Sequence, residues 1–195
     1  ISGFYGINGR YTGFLTYLSL LFVCIAFALV SNERFITQFR ITFLVIGCVL
    51  LLYGVVQFLG LEPFPYVNIY DNSVFGSFGN PNFQSAFIGI LGTFAFTLIF
   101  DSSLGRIRRS LLSLLMIFTL FGIYSTNSWQ GFFNLAAGIG VALVLLLFRI
   151  NQTKLAAATL SIGVLGSIIV ALGILNFGPL APILTKASLA ARRLY

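Results

Sequence analysis

The sequence predicts an all-α fold, a polytopic transmembrane helix bundle, and three observations predict it. Hydrophobic residues make up 58% of the 195-residue chain and charged residues only 8%. Mean hydropathy is +1.02. Apolar blocks of roughly 16 to 22 residues recur between short polar breaks, the length that crosses about 30 Å of hydrocarbon at 1.5 Å per residue. A soluble helical domain would need a polar outer face, and most of the length has none. A β-barrel would alternate polar and apolar positions, whereas a run such as Val141 to Phe148 is apolar on every side.

The elements follow in order. Helices are expected over Tyr11 to Val30, Ile41 to Leu59, Phe83 to Phe100, Leu111 to Ser125, Gly131 to Phe148 and Leu155 to Leu175. They form one transmembrane domain over residues 1–195, closed by a tail from Asn176 to Tyr195. The chain opens at Ile1 with ISGFYGINGR, which has neither the charged n-region nor the cleavage site of a signal peptide. It therefore reads as an internal piece of a longer membrane protein.

Basic residues orient the bundle. Arg34 and Arg40 lie between the first two blocks, Arg106, Arg108 and Arg109 between the third and fourth, and Arg149 and Lys154 between the fifth and sixth. The positive-inside rule makes those loops cytoplasmic. The connection from Gly60 to Asn82 has no Lys or Arg but carries Glu62 and Asp71, and the tight turn from Thr126 to Gln130 is uncharged. Both are expected outside, with the N-terminal stretch and its Arg10, and with the tail and its Lys186, Arg192 and Arg193. The tail breaks the rule: its Lys186, Arg192 and Arg193 are either a solvated segment or a phosphate site, since neighbouring arginines offer forked, permanently charged donors.

The net charge of +7 sits mostly in the cytoplasmic loops, where orientation and anionic lipid account for it. Nucleic acid is not an expected partner; membrane lipids are. Cys24 and Cys48 each lie in an apolar helix without a CxxC partner, and the chain has no histidine. Neither a disulfide, a metal nor another cofactor is expected.

The segment richest in chemistry is Gly76-Ser-Phe-Gly-Asn-Pro-Asn-Phe-Gln-Ser85. Pro81 biases Asn80 away from helical angles, so the Asn-Pro-Asn run punctuates a helix start, with Asn82 the expected N-cap. Two carboxamides beside glycines at a membrane entrance also suit sugar hydroxyls, or a phosphate at a helix N-terminus.

That run resembles the G-x-F-G-N-P-N-x signature that O-antigen ligases and their polymerase relatives carry before a membrane helix. Other pieces fall in the same order: G-I-N-G-R-Y-T-G-F-L-T-Y-L at the start, Val56-Gln-Phe-Leu-Gly60, Thr126-Asn-Ser-Trp-Gln-Gly131 and Ala191-Arg-Arg-Leu-Tyr195. The Thr126 segment is similar to the family's T-x-S-R-G turn but departs from it, since Trp129 and Gln130 stand where the family has Arg.

The resemblance implies a C-type glycosyltransferase-like membrane fold in the bacterial inner membrane. Its reaction moves a glycan from an undecaprenyl-diphosphate carrier to an acceptor glycan or lipid at the periplasmic face, as in lipopolysaccharide biosynthesis. The candidate diphosphate contacts are Arg192 and Arg193, then Arg10 and Lys186; Asn80, Asn82 and Gln130 are candidates for orienting polar groups. A histidine that activates the acceptor in this family would lie beyond Tyr195, so this stretch alone is not expected to be active. Ligase and polymerase remain alternatives. Two other classes stay open: a channel or transporter, which usually places ionisable residues inside its helices, and an assembly subunit, which small-residue spacings such as Ala136 to Gly140 would serve.

Overall fold

The computed structural model describes residues 4, 14–63, 69, 70, 72–178, 180 and 182. The protein is all-helical over that range, without a strand among the described residues. Six helices follow one another: α1 (Phe14–Val30), α2 (Glu33–Phe58), α3 (Pro81–Ile99), α4 (Arg106–Ser125), α5 (Gln130–Arg149) and α6 (Thr153–Ile174), with a 3₁₀ turn at Gly76–Phe78 before α3. Helices α2 to α6 are long and apolar enough to cross a membrane, and α1 is an apolar helix of 17 residues. The expected all-α transmembrane architecture is thus present, with five helices of full spanning length among the described residues.

Two helix starts differ from expectation. Helix α2 begins at Glu33 rather than Ile41, and α4 at Arg106 rather than Leu111, so Arg34, Arg40, Arg106, Arg108 and Arg109 are helical. Hydropathy marks only the part of a helix that crosses hydrocarbon; backbone hydrogen bonding continues into the polar interface, where charged side chains are solvated. A local signal is present at α2: the Asn32 Oδ1 accepts from the Phe35 N–H at 2.9 Å, which caps the first turn.

The stops share one device. Gly60, Asn151 and Asn176 follow α2, α5 and α6 at φ of +67°, +59° and +67°. The residue after each donates its N–H five positions back, to the carbonyls of Val56, Leu147 and Leu172, at 3.1, 2.8 and 2.8 Å. Glycine and asparagine tolerate this left-handed conformation, and the reverse bond satisfies carbonyls that the helix end leaves open.

Contacts divide the chain into two compact units, Ile1–Ile46 and Gly47–Tyr195. In the first, the Phe27 ring meets Phe35 and Phe39 edge-on, with centroids 5.2 and 5.1 Å apart. In the second, α3 is central and packs against both α4 and α5, while α6 packs on α5. Its core joins Leu51, Ile88, Ile123 and Leu135, with Leu115, Phe132 and Ile139 against them. Helices α3 and α5 approach so closely that a Cβ at Gly89 would lie 2.5 Å from the Gly131 carbonyl oxygen. Small residues permit such approach in membranes, where packing rather than water exclusion drives association.

The surface is the reverse of a soluble protein's. On α6, Ile162, Val164, Leu165, Ile168 and Ile169 are all exposed, whereas Gln57, Gln84, Ser85, Thr119, Ser125 and Thr126 are buried. Apolar side chains face lipid, and the polar ones are enclosed where protein can satisfy them.

Candidate functional site at the entrances of α3 and α5

Asn80, not Asn82, caps α3. Its extended backbone (φ −148°, ψ 124°) precedes Pro81 at the first helical position, and its Oδ1 accepts from the Asn82 N–H at 2.9 Å. The physical reason lies in Pro81: proline supplies the helical φ and lacks only an N–H that the first turn would leave unpaired, so the cap falls one residue earlier.

Asn82 is thereby released for a different task. Its Oδ1 accepts from the Ser128 hydroxyl at 2.8 Å, joining the α3 entrance to the turn before α5. Ser85 reinforces the junction: its hydroxyl donates to the Ser128 carbonyl at 3.1 Å and accepts from the Gly131 N–H at 2.9 Å. The Ser128 Oγ also accepts from the Gln130 N–H at 3.3 Å. Because the first turns of α3 and α5 meet here, these two helices run parallel. Arg149 at the end of α5 and Arg106, Arg108 and Arg109 after α3 consequently lie at the opposite end of this unit.

A second set of bonds fixes the loop before the signature. The buried Gln57 Oε1 accepts from the N–H groups of Phe75 and Gly76 at 2.8 and 2.9 Å. The Val74 N–H donates to the Ser125 carbonyl at 3.0 Å, and Asn127 Nδ2 donates to the Ser73 hydroxyl at 3.1 Å. Gly76 has φ +54°, and a Cβ there would run into the Gln84 carboxamide. Gln84 is fully buried; its Nε2 reaches the Leu50 carbonyl at 3.4 Å, while its Oε1 has no partner.

The exposed surface above these bonds carries Asn82, Trp129 and Gln130, with Asn80 half-buried beside them. Trp129 precedes α5 and its ring lies 6.0 Å from that of Phe132. The N–H groups of Asn82, Gln130 and Gly131 already bond to side chains, so a phosphate held by them would have to displace Asn80, Ser128 or Ser85. The arrangement instead offers carboxamides and an indole, groups that pair with hydroxyls and stack on sugar C–H faces. Of the residues expected at a site, the structure brings Asn80, Asn82 and Gln130 together; Arg10, Lys186, Arg192 and Arg193 lie outside the described residues. Sequence reasoning missed Ser85, Ser128, Gln57 and Gln84. Two glutamines inside apolar helices were the available signal, because an amide within a membrane span needs a partner.

A bundle with an apolar exterior, an enclosed polar network and five helices of spanning length is a multi-pass membrane protein. No family model, curated protein or solved structure matches the chain.

Proposed function

We propose that this protein is a membrane glycosyltransferase of the O-antigen ligase or polymerase type. It transfers a glycan from an undecaprenyl-diphosphate carrier to an acceptor hydroxyl at the periplasmic face of the bacterial inner membrane. One observation carries the reading: the two segments with the strongest family resemblance, Gly76 to Phe83 and Thr126 to Gly131, are joined side chain to side chain by Asn82 and Ser128. A pair of motifs that serve one site must meet in space, and these do so across 46 positions of sequence.

The chemistry divides between two sets of residues. The carboxamides of Asn80, Asn82 and Gln130 orient the glycan by its hydroxyls. Arg192 and Arg193 neutralise the diphosphate as it leaves, an electrostatic stabilisation that needs no nucleotide. The test is consumption of the lipid-linked donor by the purified full-length protein in nanodiscs. Replacing Arg192 and Arg193 together by glutamine should lower turnover at unchanged folding, and lysine should restore it only in part, since an ammonium lacks the planar fork. Full activity of the double glutamine variant would remove both arginines from the site.

A further inference from the structure

Trp129 stands directly before α5 and is 52% exposed. The backbone beneath it is fastened: Ser128 holds Asn82 through its hydroxyl and Ser85 through its carbonyl, and the indole itself is tilted against Phe132. The indole N–H meets no acceptor among the described residues. Beside it the exposed Gln130 carboxamide bonds to no protein group, and Asn82, whose Oδ1 serves Ser128, leaves its Nδ2 open. The backbone N–H groups of Asn82, Gln130 and Gly131 are by contrast all taken by side chains. What these residues still offer a ligand is an aromatic plane and uncommitted side-chain amides.

Charge narrows the ligand. In the described part of this unit Arg106, Arg108 and Arg109 begin α4, Arg149 ends α5 and Lys154 begins α6, all at the opposite end. An anionic ring on Trp129 would therefore meet no counter-charge among the described residues, whereas a neutral pyranose fits every group present. Its C–H face stacks on the indole, and its hydroxyls meet carboxamides that both donate and accept. Anchoring in the membrane interface would use the amphipathic ring of Trp129 but not the carboxamides beside it.

We propose that Trp129 is the stacking platform for an uncharged sugar ring of the glycan, with Asn82 and Gln130 bonding its hydroxyls. This inference rests on the transferase reading and names the class of sugar. The experiment is equilibrium binding to the full-length protein in nanodiscs. The probes are farnesyl diphosphate alone and the same carrier bearing glucose, galactose, N-acetylglucosamine or glucuronic acid. At least one neutral sugar should tighten binding about 3- to 10-fold over the bare carrier, the range expected of one aromatic stacking contact. Glucuronic acid should give no such gain. Trp129→Leu, which keeps an apolar side chain at the interface, should abolish the gain while binding farnesyl diphosphate as the wild type does; that equality also reports intact folding. Trp129→Phe should keep part of the gain, and Gln130→Arg should let glucuronic acid tighten binding. An undiminished gain in Trp129→Leu, or no gain from any neutral sugar with the wild type, would overturn the proposal. Binding with the predicted pattern but no turnover of any donor would leave the platform standing and contradict the transferase reading beneath it.

Discussion

The Ser128 hydroxyl donates to the Asn82 side chain over 2.8 Å, and this bond joins the entrances of two parallel helices, α3 and α5. Its energetic weight can be isolated by a double-mutant cycle. Asn82→Ala and Ser128→Ala should each destabilise the protein, and together they should cost less than their sum. A coupling of about 0.5–1.5 kcal/mol is expected in thermal unfolding in detergent. Strict additivity would show that the two side chains do not interact in solution.

The cap shifts the sensitive position to Asn80. Asn80→Ala should cost about 1 kcal/mol, whereas Asn80→Asp or Asn80→Ser should be nearly neutral, because each retains an oxygen for the Asn82 N–H. Asn82→Ser does not follow that rule, since the Asn82 side chain serves the Ser128 hydroxyl rather than its own helix.

The helix segments were largely legible in the sequence, and the contacts between them were not. Block length and hydropathy located all six helices, because spanning a bilayer constrains both. They missed the charged first turns of α2 and α4, which lie in the interface where apolarity is no longer required. Pro81 signalled a helix start, but choosing between Asn80 and Asn82 needed the proline rule applied one residue earlier. Nothing local pairs Asn82 with Ser128 or Gln57 with Gly76, since hydrogen bonds between distant segments leave no periodic mark.

Packing makes a sharper contrast between glycines. Gly89→Val drives side-chain carbons into the Gly131 carbonyl, a backbone atom that cannot swing away, and should cost about 1–3 kcal/mol or more. Gly163→Ala on α6, where a Cβ meets nothing within 4 Å, should be neutral or stabilise by about 0.5–1 kcal/mol. Equal effects in thermal unfolding would contradict the observed α3–α5 approach.

Gly76 and Gln84 should behave as a coupled pair. Gly76→Ala places a side chain at φ +54° and against the Gln84 carboxamide, so it combines about 1–2 kcal/mol of backbone strain with a clash. Shortening the neighbour by Gln84→Ala should relieve the clash and leave the strain. Gly76→Ala should therefore cost less in the Gln84→Ala background, and an unchanged cost would rule out the contact.

Orientation is open to labelling. The three arginines at the start of α4 predict a cytoplasmic end, and the signature at the opposite end of the same unit is then expected on the outer side of the membrane. With Cys24 and Cys48 replaced, a cysteine at Ser77 should react with an impermeant thiol reagent in spheroplasts, and one at Arg108 should react only after lysis. The reverse pattern would invert the assignment of sides.

Under the proposed function, the junction of α3 and α5 is part of a glycan-transfer site. Its most direct measurement is release of undecaprenyl diphosphate from a lipid-linked glycan by the full-length protein, compared among wild type, Asn82→Ala and Asn82→Ser at equal folded amounts. Activity is expected in the wild type, with a loss of at least about tenfold in both variants, about 1.4 kcal/mol of transition-state stabilisation. Undiminished release by folded Asn82→Ala would contradict it, leaving the junction as a fastening between helices.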